Sequence, residues 1–134
     1  MTQSHAVDSS LIHYPVLKNE LISFLNIHPD GIYIDGTCGP GGHSKIILKN
    51  LSSKGTLISM DIDQEALNIY RKSLKSSFEN FYIIKNSYSN LPSILKAMDI
   101  KKVNGIILDL GLSSMQLDSS DRGFSYKNDC HLDM

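Results

Sequence analysis

Ile32-Tyr33-Ile34-Asp35-Gly36-Thr37-Cys38-Gly39-Pro40-Gly41-Gly42-His43-Ser44 is the stretch on which the fold assignment turns. Ile32 to Asp35 reads as a short strand. It runs directly into a glycine-rich turn, and the turn opens a run from Gly42 to Leu51 whose Ile46, Ile47 and Leu51 recur at helical spacing. Glycines let a backbone turn tightly and approach a ligand closely. The N–H groups at the start of the following helix point toward that ligand. A strand, a glycine turn and a helix in this order make a nucleotide site at the carboxyl end of a strand in a Rossmann-type sheet. The spacing of Gly36, Gly39 and Gly41 is not GxGxxG, and on this stretch alone an ordinary strand-to-helix turn remains open.

Moving outward, the alternation continues. Thr56 to Asp61 reads as a second strand, and Gln64 to Leu74 as a helix with Ala66, Leu67, Tyr70 and Leu74 on one side. Phe81 to Lys85 is a third strand, Leu91 to Met98 a helix, and Val103 to Leu110 a fourth strand. Strands separated by helices of about ten residues predict βαβ units and a parallel sheet, here in the order 3-2-1-4. Upstream, Pro15 precedes Val16, Leu17, Leu21, Phe24 and Leu25, a helical spacing that Pro29-Asp30-Gly31 ends. Residues 1–12 read as a loose polar lead. The continuous apolar run Ile106-Ile107-Leu108 asks for cover on both faces, yet only a polar segment follows it. The fold class expected is therefore α/β, a doubly wound Rossmann-like parallel sheet truncated after its fourth strand.

Three further places carry chemistry. Asp61 ends the second strand about 20–25 residues past the glycine turn, where a carboxylate holds a ribose diol in such folds. Asp63 competes for that role, but standing ahead of Gln64 and Glu65 it also suits a helix N-cap. Tyr88, in Asn86-Ser87-Tyr88-Ser89 after the third strand, is placed either to lie against an adenine ring or to pack under its own loop. Asp109 opens Asp109-Leu110-Gly111-Leu112-Ser113-Ser114-Met115-Gln116-Leu117-Asp118 at the end of the fourth strand, on the edge that faces the same crevice; a plain capped loop is the other reading.

Bulk properties narrow the class. The 134 residues suit one domain, with 41% hydrophobic and 20% charged residues. The formal net charge of -1 gives no overall attraction to nucleic acid. Lys45, Lys49, Arg71, Lys72, Lys101, Lys102 and Arg122 are scattered and read as solvated helix faces. No apolar run approaches the roughly 18 residues of a membrane span, and the N-terminus has no signal-peptide pattern. Cys38 and Cys130, far apart and without CxxC spacing, read as free thiols in a reducing cytoplasm. Together with His43 and His131 they match no zinc pattern, so no metal is expected.

The runs DGTCGPGGHS, MDID, ILDLGLSSMQLD, DRGFSY and LDM, with HYPVL near the start, resemble the small-subunit ribosomal RNA cytosine-N4 methyltransferases from about His13 to Met134. DLGxSSxQLD followed by RGFS is not a general Rossmann feature. The resemblance implies S-adenosylmethionine as cofactor and small-subunit rRNA as partner. It implies that Gly41, Gly42 and His43 hold the methionine end, that Asp61 holds the ribose, and that Tyr88, Asp109 and Gln116 contact the cofactor. Tyr88 departs from the family's usual phenylalanine, and Cys130-His131 stands where Gly-Pro is usual. Enzymes of this family continue with an inserted helical domain and more sheet, so residues 13–134 are expected to be the cofactor-binding portion, inactive on RNA by themselves. The other readings are a remnant that only binds cofactor and a nicotinamide-dependent oxidoreductase. The lack of GxGxxG argues against the second.

Overall fold

The computed structural model describes residues 18–111 and Arg122. The polar lead, the start of the first helix and Gln116, Cys130 and His131 lie outside the described residues.

The elements run α1 (Lys18–Leu25), β1 (Ile32–Asp35), α2 (Gly42–Asn50), β2 (Thr56–Asp61), α3 (Gln64–Ser73), β3 (Phe81–Lys85), a short 3-10 turn (Tyr88–Asn90), α4 (Leu91–Ala97) and β4 (Gly105–Ile107). All strand pairs are parallel, and the order is β3-β2-β1-β4, as the alternation predicts. The chain steps outward from β1 to β2 to β3 and then returns to the far side of β1. With right-handed crossovers this puts α2 and α3 on one face of the sheet and α4 on the other.

The pleat divides the core accordingly. Tyr33, Leu57 and Phe81 stand in register on one face, where Tyr33, Leu57 and Ile107 pack with Ile47 and Leu48 of α2. Leu67 and Tyr70 of α3 join Cys38, with Phe81 and Ile83 packed against them, farther along the same face. Ile34, Ile58 and Met60 point the other way, toward Leu91, Ile94 and Leu95 of α4. In α1, Leu21 and Leu25 pack on the Tyr33 cluster, whereas Phe24 is exposed. The inward row is the pair four residues apart, and Phe24 falls outside it.

β4 is shorter than Val103 to Leu110. It pairs only at Tyr33, Ile34 and Asp35, so its ladder is no longer than the four-residue strand it lies against. Asn104 closes the near end, its N–H donating to the Ile32 carbonyl at 2.7 Å and its Oδ1 accepting from the Ile32 N–H at 2.8 Å. Beyond Ile107 the backbone leaves the ladder. Cover is also one-sided: Ile107 is 7% exposed, but Ile106 and Leu108 are 46% and 47% exposed.

Candidate functional site

The glycine turn is sewn to both neighbours of β1. Gly36 N–H donates to the Ile107 carbonyl of β4, and Cys38 N–H to the Met60 carbonyl of β2, each at 2.9 Å. Two glycines are dictated by geometry. Gly41, the residue capping α2, has φ 89°, and a Cβ there would lie 2.1 Å from the Tyr70 ring. A Cβ at Gly36 would lie 2.6 Å from Leu108 Cδ2 and 3.1 Å from Tyr88 Cβ. At Gly39, by contrast, a Cβ would meet nothing within 4 Å among the described residues. The first bond of α2 runs from Lys45 N–H to the Gly41 carbonyl, 3.0 Å. The amides ahead of it have no acceptor within the helix, which makes this end a place for an anionic group.

Most residues singled out from sequence meet at this edge. Gly41, Gly42 and His43 form the passage from the turn into α2. Asp61, at the end of β2, accepts from Gly39 N–H through Oδ2 at 2.8 Å and from Asp63 N–H through Oδ1 at 2.9 Å. Each oxygen keeps a further lone pair, so the carboxylate braces the turn and retains capacity for two hydroxyls. Asp63 is the N-cap of α3, accepting from Glu65 and Ala66 N–H. Tyr88 begins the 3-10 turn after β3, is exposed, and stands over Gly36. Asp109, also exposed, donates its N–H to Thr37 Oγ1 at 2.7 Å, which ties the end of β4 to the glycine turn. Gln116 lies outside the described residues.

Behind the turn lies a polar group that sequence reading passed over. Asp35 is 1% exposed; its Oδ2 accepts from Ser44 Oγ at 2.6 Å and its Oδ1 from Thr37 N–H at 3.3 Å. Ser44 Oγ continues to Ser59 Oγ at 2.8 Å, and Ser59 to the Tyr70 hydroxyl at 3.5 Å. Burial pushes the Asp35 carboxyl up to about 6, opposed by the bonds from Ser44 and Thr37. Burial likewise raises the Cys38 thiol and the Tyr70 phenol above their usual ranges, leaving both protonated. Period two was the available signal: Asp35 shares the face of buried Tyr33.

Two cations also differ from the solvated reading. Lys45 stands 5.9 Å from the Tyr70 ring centroid, and partial burial lowers its pKa. Arg122 is 12% exposed and pairs with Asp63 at 3.1 Å and Glu65 at 3.4 Å. Among the described residues no cluster of three His, Cys, Asp or Glu is placed to hold a metal, and no helix is long and apolar enough to cross a membrane. A hollow lined by Leu48, Leu51, Phe78 and Phe81 lies at the opposite, amino-terminal edge of the sheet.

Strand order reverses between β1 and β4, and the glycine turn, Asp61, Tyr88 and Asp109 gather at the carboxyl ends around that point. In doubly wound Rossmann-like domains ligands bind outside the carboxyl ends of the strands at such a reversal. A solved SAM-dependent O-methyltransferase from Thermotoga maritima has the same fold, with a TM-score of 0.52 and 18% identity over 59% of this chain and 31% of that one.

The chain belongs to the MraW methylase family, whose model matches residues 10–134. It is 52% identical over 122 residues to the ribosomal RNA small subunit methyltransferase H of Clostridium botulinum, strain Okra, and 54% identical over 122 residues to that of Ureaplasma parvum. In both cases 91% of this chain is covered and 39% of the relative, so the chain spans about two fifths of the length of these relatives. The family resemblance carried by the glycine turn and the DLGLSSMQLD run is thus borne out, and the nicotinamide oxidoreductase reading falls.

Proposed function

We propose that this chain is the cofactor-binding portion of an S-adenosylmethionine-dependent methyltransferase acting on a cytosine N4 of small-subunit ribosomal RNA. The observation that carries the reading is the Asp61 carboxylate hydrogen-bonded to Gly39 N–H, which places an acid that suits a ribose beside the glycine turn at the switch point. The donor set fits the cofactor. The α2 amino terminus, with Gly41, Gly42 and His43, suits the methionine carboxylate. Asp61 suits the ribose diol and Tyr88 the adenine, with Asp109 and Gln116 as further contacts. When bound, S-adenosylmethionine supplies an electrophilic methyl group on a sulfonium.

The remaining work is alignment and electrostatics. The cytosine amine is a weak nucleophile because its lone pair is delocalised into the ring, and the base must be unpaired or flipped to reach the crevice. Asp109, tied through its backbone to Thr37, is the carboxylate at the β4 end of the crevice. The cytoplasm, where small subunits are made, is the compartment that follows.

Titration calorimetry with S-adenosylmethionine tests the site. Asp61→Ala should lose about 1.5–3 kcal/mol of binding free energy, as expected when a charged acceptor leaves a hydroxyl pair. Unaltered affinity would remove Asp61 from the ribose. The RNA step is tested by labelled methyl transfer to unmethylated small subunits, with the modified nucleoside identified after digestion; label on any base but cytosine would refute it.

A further inference from the structure

We propose that Arg122 is a positioning residue for the cofactor's ribose: it fixes the first turn of α3 and, through Asp63, the carboxylate of Asp61. The proposal rests on the reading of Asp61 as the ribose ligand.

Arg122 Nη1 lies 3.1 Å from Asp63 Oδ2 and 3.3 Å from Asp63 Oδ1, and 3.4 Å from Glu65 Oε2. The pair with Asp63 is not a surface pair, since the side chains are 12% and 5% exposed. Water screens such a pair poorly, and removing one partner strands the other's charge inside the protein. Asp63 is meanwhile committed on its other side. Its Oδ1 caps α3 at Glu65 and Ala66 N–H, and its own N–H donates to Asp61 Oδ1 at 2.9 Å. Asp61 Oδ2 in turn accepts from Gly39 N–H. A continuous path therefore runs from the guanidinium through the cap to the Asp61 carboxylate and into the glycine turn.

Charge gives this path a purpose. Asp61, Asp63 and Glu65 alternate along five positions, with Asp35 buried nearby. Each Asp61 oxygen is held by one backbone N–H, of Gly39 and of Asp63, while a second carboxylate sits two residues away. The guanidinium paired with Asp63 offsets that neighbouring charge and holds the residue whose N–H donates to Asp61. Arg122 stands 59 residues from Asp63 in sequence, so the contact is a long-range one onto the first turn of α3.

The experiment is a double-mutant cycle read by calorimetry with S-adenosylhomocysteine, on the unaltered chain, Arg122→Gln, Asp61→Ala and the double variant. Thermal unfolding without ligand is followed in parallel. Arg122→Gln should weaken binding about threefold to tenfold in the unaltered background and add nothing once Asp61 is gone, the non-additivity of groups acting through one another. Arg122→Lys should restore part of the affinity, because it keeps the charge. Glu65→Gln, which leaves the cap and the main ion pair intact, should weaken binding less than Arg122→Gln, and it carries the cycle if Arg122→Gln does not fold. Equal losses in both backgrounds would overturn the proposal, as would lowered unfolding temperature with unchanged affinity. Parental affinity in Arg122→Gln beside weakened Asp61→Ala overturns the positioning role alone. Parental affinity in Asp61→Ala overturns the ribose reading and the positioning role with it.

Discussion

Asp35 is a carboxyl group kept from water directly beneath the glycine turn, and its titration should be visible in the stability of the whole domain. Its folded pKa is raised from the ordinary 3.8 to about 6. The folded state therefore binds this proton more tightly than the unfolded state does. The group's favourable contribution is complete below about pH 4 and is lost as pH rises through about 6, amounting to about 2–3 kcal/mol. Urea unfolding of Asp35→Asn between pH 4.5 and 7.5 checks the sign: the difference in stability between variant and unaltered chain should move in the variant's favour as pH rises. A constant difference would mean that Ser44 and Thr37 fully compensate for burial. The turn offers a second contrast. Gly41→Ala meets both a positive φ and the Tyr70 ring and should cost about 2–4 kcal/mol, whereas Gly39→Ala, with φ 50° and no described atom within 4 Å of the added Cβ, should cost about 1–2 kcal/mol.

β4 shows how an element depends on its neighbour. Its apolar run reads as a longer strand, but pairing ends where β1 ends, and α4 packs over β1 and β2 without covering Ile106 and Leu108. Ile107 alone reaches the shared core with Tyr33 and Ile47. Ile107→Ala should thus destabilise by about 2–4 kcal/mol and Ile106→Ala by less than about 1 kcal/mol, measured by chemical denaturation. The same dependence explains what was legible in sequence. β1, β2 and β3 stand at the expected bounds because each lies between turn residues that stop a strand locally. Asp61 and Asp109 were readable as crevice residues because position at a strand's carboxyl end follows from order along the chain. The Asp35-Ser44-Ser59-Tyr70 network was not, because its members come from four elements and no local pattern joins them. Arg122 was not, because its partners precede it by 57 and 59 residues.

For the molecule as a whole, the described surface is asymmetric. β3 and β4 are the two outer strands of the sheet, and they differ in what they present. β3 ends in exposed Lys85, a charge that discourages pairing with another strand. β4 and the residues after it present exposed Ile106, Leu108 and Leu110, the last at 65% exposure, with Asp109 the one charge among them. A net charge of -1 provides almost no long-range repulsion between copies. Self-association through this side is therefore expected to rise with protein concentration and to strengthen with salt, because apolar contact rather than charge drives it. Sedimentation velocity over a concentration series checks this. Ile106→Lys should return the chain to monomer while leaving the unfolding midpoint nearly unchanged, since Ile106 is half exposed and contributes little to the core. Persistent association of Ile106→Lys would place the contact elsewhere, with exposed Phe24 on α1 the next surface to alter.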